Sequence, residues 1–173
     1  MFDLVIRGGS AVLPDQGEMP RDIAINDGKV AAILSPTAKV ESASSIDAAG
    51  HVILPGVIDV HLHLGHGADI SRPRVPADAD RETDAAARGG VTCMIPYLMA
   101  SEPFEDIFDD VRAVTEAGSR IDFSYHFIIS TEEQLARVPH YVKMGAPSFK
   151  IFMNNRGGEG LRLGLPDIDD GFL

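Results

Sequence analysis

Val52-Ile53-Leu54-Pro55-Gly56-Val57-Ile58-Asp59-Val60-His61-Leu62-His63 reads as an apolar strand with a Pro-Gly turn inside it and His-x-His at its end. Side chains of an extended chain alternate between two faces. His61 and His63 then share a face with Asp59, while Ile58, Val60 and Leu62 share the other. Two imidazoles side by side at the end of a buried strand are costly unless something satisfies them. Neutral imidazole is a common ligand for zinc and similar ions. The pair is either a metal-ligand pair or two hydrogen-bonded histidines. Its place after Pro55-Gly56, at the C-terminal end of an apolar strand, favours the metal.

A second stretch, Ala146-Pro147-Ser148-Phe149-Lys150-Ile151-Phe152-Met153, reads as another short buried strand. Phe149, Ile151 and Met153 fall on one face, and Ser148, Lys150 and Phe152 on the other. A lysine in mid-strand must find a counter-charge, lose its charge or snorkel to solvent from the strand end.

The rest of the chain sets the frame for these two stretches. Residues 1–51 read as a small β unit. Phe2 to Arg7 alternates, Asp22–Ile25 and Lys29–Ile33 flank the hairpin signal Asn26-Asp27-Gly28, and Ser45–Gly50 is a turn-bounded strand. From residue 52 the pattern changes to strands alternating with helices. Asp78–Arg88 is helical and stops at Gly89-Gly90. Val91–Pro96 is a second strand, and Phe104–Ala117 a helix with Ile107, Val111 and Val114 on one stripe. Ile121–Ile129 is a third strand. Ser130-Thr131-Glu132-Glu133 is a capping box that opens a further helix, which Pro139 breaks or restarts and Gly145 ends. The strand bearing Lys150 is the fourth. This alternation predicts a parallel sheet covered on both faces.

Composition narrows the function. A chain of 173 residues, 45% hydrophobic, can bury a real core, and its net charge of −11 argues against nucleic acid or an anionic membrane surface as partner. No apolar run approaches membrane-spanning length and no signal peptide is evident, so a cytoplasmic location is expected. The single cysteine, Cys93, lies in an apolar stretch and reads as a core residue.

Three features together resemble the amidohydrolase superfamily, in particular its hydantoinase and dihydropyrimidinase branch. They are Asp3-Leu4-Val5-Ile6-Arg7-Gly8-Gly9, Leu54-Pro55-Gly56-Val57-Ile58-Asp59-Val60-His61-Leu62-His63 and Ser148-Phe149-Lys150, with a His63–Lys150 interval of the right order. The resemblance implies an α/β fold. Residues 52–173 would form the N-terminal half of a TIM (β/α)8 barrel, preceded by part of a small β-sandwich domain at 1–51. It implies two divalent metal ions, for which zinc fits best. His61 and His63 would be metal ligands, and Lys150, carboxylated by carbon dioxide to N6-carboxylysine, a bridging one. A carbamate is an anionic oxygen ligand, so no buried ammonium is left stranded. The implied reaction is hydrolysis of a cyclic amide, a hydantoin- or dihydropyrimidine-like ureide or imide, by metal-activated hydroxide attacking the ring carbonyl. The implied assembly is a homo-oligomer, a dimer or tetramer. The alternative within the same resemblance is a non-catalytic hydantoinase-like scaffold.

Several residues refine this expectation. Asp59 either orients a ligand histidine or caps the strand end. His66 either lines the mouth of the site or is a loop residue. His126 reads as a core or rim histidine, and His51 and His140 as structural or exposed. Gly65 stands where dihydroorotases carry a substrate-gripping arginine, which argues against dihydroorotate. Asn155 stands where hydantoinases and dihydropyrimidinases usually carry a tyrosine, and its amide could still donate to the substrate. A full barrel needs eight strands and about 250 residues, and the region after Val52 supplies half of that. The sequence is therefore expected to be the N-terminal part of a larger protein, inactive alone, with the second-metal histidines and the general-base aspartate beyond residue 173.

Overall fold

Pro55 and Gly56 interrupt the stretch that the sequence presents as one strand: Val52–Ile53 and Val57–Asp59 are separate strands in different units. Proline lacks the N–H that a continuous ladder needs. A Cβ on Gly56 would run into the Thr92 side chain. The structure, a computed structural model, describes residues 1–152. One unit spans Met1–Pro55 and the next begins at Gly56, four residues beyond the boundary read from the sequence.

The first unit contains β1 (Phe2–Arg7), β2 (Ser10–Leu13), β3 (Gly17–Pro20), β4 (Asp22–Asn26), β5 (Lys29–Leu34), β6 (Ser42–Asp47) and β7 (Val52–Ile53). They form two small sheets, ordered β5-β4-β1-β6 and β3-β2-β7. The expected hairpin at Asn26-Asp27-Gly28 is present. Asp27 and Gly28 take φ of 50° and 69°, as a two-residue turn matched to strand twist requires. Val5 and Ala24 are fully buried, and buried Asp22 ties the unit together by accepting from the Gly8 N–H at 2.9 Å. The β2–β3 hairpin carries no clear sequence signal, because Gly17 and Pro20 are poor strand residues. Pro20 is accommodated because β3 is an edge.

The second unit alternates as expected: β8 (Val57–Asp59), α1 (Pro76–Arg88), β9 (Val91–Met94), β10 (Tyr97–Leu98), α2 (Phe108–Gly118), β11 (Asp122–Phe123), β12 (His126–Ile128), α3 (Glu132–Ala136), α4 (Val138–Lys143) and β13 (Ser148–Lys150). Two parallel ladders result, ordered β8-β9-β11 and β10-β12-β13. The second and third strands of the sequence reading are thus each divided in two. Pro96 breaks the first of them, yet its carbonyl still accepts from the His126 N–H at 3.0 Å, so the strands stay side by side. Thr131 caps α3 by accepting from the Gln134 N–H at 3.1 Å, and Gly145 takes a φ of 98° after α4.

Alternation decides what packs where. Phe127 and Phe149, paired in register, join Phe104, Phe108 and Tyr141 in an aromatic core beneath the helices. The buried face of α2 runs through Phe108, Val111 and Thr115, a shift from the expected stripe, with Ile107 and Val114 only half-buried. The reason is Thr115, whose hydroxyl bonds to that of Tyr125 at 2.7 Å and so turns this side of the helix inward. The first strand departs from expectation: Val57, Ile58 and Val60 are 53%, 59% and 51% exposed. Strand β8 lies at the edge of its ladder among the described residues.

Candidate metal centre

The opposite face of the β10-β12-β13 ladder carries the polar residues. Tyr97 is in register with His126, and His126 with Ser148, so the three form one row across three strands. Lys150 lies one step further along β13 on the same face. His126 Nδ1 and the Ser148 hydroxyl are hydrogen-bonded.

His61 and His63 lie just past the end of β8. The main chain brings them alongside this row. The Ile95 N–H donates to the Asp59 carbonyl at 2.8 Å, and the Tyr97 N–H to the Leu62 carbonyl at 2.9 Å. Tyr97 thereby becomes the meeting point. Its ring centroid lies 5.1 Å from His61, 5.4 Å from His63 and 5.1 Å from His126. Lys150 Nζ sits 4.0 Å from the same centroid and 4.6 Å from that of Phe152. The structure thus brings His61, His63 and Lys150 around one ring from two distant segments. It adds His126, which the sequence left as a core or rim residue, and Tyr97, which the sequence did not single out. Tyr97 opens β10 and His126 opens β12, each just past the break that divides its strand of the sequence reading, and nothing in the local sequence marked either position.

Electrostatics favours the neutral imidazole at His63 and at His126. Burial lowers the pKa of His63; the Ile70 backbone pulls the other way, and the nearby Lys150 and His61 lower it further. Burial likewise lowers that of His126, against a pull from the Val60 backbone, with His61 and Lys150 adding to the lowering. The buried Nδ1 of His63 has no hydrogen-bond partner among the described residues. Such an atom is costly to leave unsatisfied, and a neutral imidazole nitrogen is a metal donor. His61 and His63 are two nitrogen donors of the kind a divalent metal ion takes. No group of three His, Cys, Asp or Glu side chains suited to a metal is present among the described residues.

The neighbouring residues make the following contacts. Asp59 Oδ1 accepts from the main-chain N–H of His61 at 3.0 Å. His66 is exposed, and its Nδ1 lies 3.1 Å from both oxygens of buried Asp78. Asp78 also accepts from the N–H groups of Arg74 and Val75, at 2.8 and 3.0 Å, anchoring the loop to the start of α1. At Gly65 a Cβ would meet the Asp69 carbonyl oxygen and come within 2.7 Å of Ile70 Cα. This turn has no room for a side chain, least of all an arginine. His51 and His140 are exposed, as expected, and Cys93 is half-buried. Asn155 lies outside the described residues. No described helix is long and apolar enough to cross a membrane.

No family model matches the chain. It is 32% identical over 157 residues to a D-hydantoinase of Streptomyces coelicolor, covering 86% of this chain and 33% of that protein. It is 31% identical over 158 residues to an allantoinase of Rubrobacter xylanophilus, covering 90% of this chain and 33% of that one. Among solved structures, an L-hydantoinase (dihydropyrimidinase) from Arthrobacter aurescens superposes with a TM-score of 0.78 at 27% identity, covering 99% of this chain and 37% of that one. The chain spans about a third of the length of these curated relatives. With His61, His63 and Lys150 gathered on one side of a parallel ladder, and with this similarity along most of its length, the chain belongs to the hydantoinase-like amidohydrolases.

Proposed function

We propose that this chain carries part of the active site of a metal-dependent hydrolase of cyclic amides, with residues from Gly56 onward contributing to a (β/α)8 barrel and residues up to Pro55 to a β-sandwich domain. The observation that carries this reading is the convergence of His61, His63 and Lys150 on Tyr97. His61 and His63 would hold a divalent ion, with zinc matching their nitrogen donors. The neutral amine of Lys150 would add to carbon dioxide, forming an N–C bond and releasing one proton, to give the anionic oxygen ligand that the imidazoles lack. Bound ions of this kind polarise a carbonyl and make hydroxide available near neutral pH.

The chain's own residues have simpler tasks. Burial keeps His63 neutral, so its lone pair is free to bind. Asp59 and the Ile95 N–H hold the main chain on which both histidines ride. Cyclic ureides of the hydantoin and allantoin type are the proposed substrate class, on the strength of the relatives' names. The cramped turn at Gly65 speaks against a substrate gripped by an arginine there.

Zinc content of the purified chain, measured after dialysis from zinc and bicarbonate, tests this reading. At least one ion per chain is expected, with loss in His61→Ala and His63→Ala and a 13C-bicarbonate-derived carbamate signal absent from Lys150→Ala. A folded chain that takes up no zinc would overturn it and leave a hydantoinase-like scaffold.

A further inference from the structure

We propose that Tyr97 is a positioning residue of this centre, an aromatic platform that orders His61, His63 and Lys150 before the metal arrives. The inference rests on the metal-centre reading above. Four side chains from three segments lie against its ring: His61 and His63 from the segment after β8, His126 from β12 and Lys150 from β13. No other residue among the described ones is shared by all four in this way.

The platform is itself firmly held. The Tyr97 N–H is bound to the Leu62 carbonyl, midway between the two motif histidines, so ring and imidazoles are tied through one hydrogen bond. Leu98, next in sequence, is fully buried and anchors the strand from the other face. On the far side His126 is fixed by the Ser148 hydroxyl, which stops the row from sliding.

The physics suits each neighbour. His61 meets the ring nearly edge-on, at 80°, while His63 and His126 are tilted at 40° and 31°. Contacts of this kind restrict imidazole rotation, and a ligand already oriented loses less freedom on binding. The π face also attracts a lysine amine in its charged form. It thus keeps Nζ beside the imidazoles rather than in solvent, where the carbamate would form out of reach of a metal held by His61 and His63. Supporting residues just outside a metal's ligand set commonly matter to its affinity by roughly 10–100-fold.

The test uses the full chain with Tyr97→Phe and Tyr97→Leu. Zinc affinity is read by competition with a chromophoric chelator, carbamate by 13C NMR after 13C-bicarbonate, and folding by far-UV circular dichroism and melting. Tyr97→Phe should bind zinc within about twofold of the parent, and Tyr97→Leu roughly 10–100-fold more weakly with the carbamate signal lost, both with parental spectra. Should Tyr97→Leu fail to fold, Tyr97→Met, which keeps side-chain length without a π face, decides by the same titration. Parental zinc affinity and carbamate in the leucine or methionine variant would overturn the platform and leave the metal centre standing. Equal damage from phenylalanine would overturn the ring as the working part. A parent chain that binds no zinc would overturn the metal centre and the platform with it.

Discussion

At the scale of single residues, the loop after the His-x-His pair is governed by Gly65 and Asp78. Gly65 is the one residue its turn accepts, since the Asp69 carbonyl oxygen and Ile70 Cα occupy the space of a side chain. Gly65→Ala is expected to destabilise the unit by about 1–3 kcal/mol, the usual range for forced overpacking, measurable by chemical denaturation. Asp78 is held below the usual carboxylate range: burial pushes its pKa up, but hydrogen bonds from the Arg74 and Val75 amides and His66 outweigh it. Asp78→Ala should cost about 1–2 kcal/mol, as loss of helix N-terminal capping does. His63 and His126 supply the pH dependence. Their pKa values lie below the ordinary 6.5, so the unfolded chain binds protons first as pH falls. The stability they contribute is present above pH 6.5 and is lost as pH drops through that value towards their folded pKa. Melting temperature of the metal-free chain should therefore fall in that window, and less so in His63→Gln.

At the scale of elements, α2 is joined to the break between β11 and β12 through Thr115 and Tyr125. Tyr125 is almost wholly buried, and burial pushes its pKa up to about 12, against a hydrogen bond with Thr115 that lowers it. The folded value exceeds the unfolded 10.0, so this contribution is intact below pH 10 and is lost as pH climbs through 12. A Tyr125→Phe variant should lose about 1 kcal/mol at neutral pH, the net worth of one hydrogen bond. It should also show a shallower stability loss between pH 10 and 12 in urea titrations. The same pair explains why the buried stripe of α2 departs from its hydropathy. A threonine hydroxyl that also donates to the Val111 carbonyl, at 2.8 Å, can face inward without leaving a polar atom unsatisfied.

At the scale of the whole molecule, both units leave apolar strand residues exposed. The first combines the β2–β3 and β4–β5 hairpins with parallel ladders of β1 on β6 and β2 on β7. The second leaves β8 at the edge of its ladder among the described residues, with Val57, Ile58 and Val60 more than half exposed. Apolar edges of this kind recruit further strands. Sedimentation of the isolated chain should show association that rises with concentration. Ile58→Lys should reduce it without changing the circular dichroism spectrum.

Much of this protein was legible along the chain. The alternation of strands and helices, the Asn26-Asp27-Gly28 turn, the stop at Gly89-Gly90 and the pairing of His61 with His63 are local properties. They follow from side-chain period, backbone freedom and capping, which act over a few residues. Only the tertiary structure decided the rest. Pro55-Gly56 divides one apolar run between two units because Val52–Ile53 finds its ladder on Ser10–Ala11, more than 40 positions away in sequence. Tyr97 and His126 enter the site because strand register sets them in a row with Ser148, beside Lys150. Register is fixed by burial of Leu98 and Phe127, with Phe149 packed against them, on the opposite face, a cooperative outcome of packing that no single segment encodes.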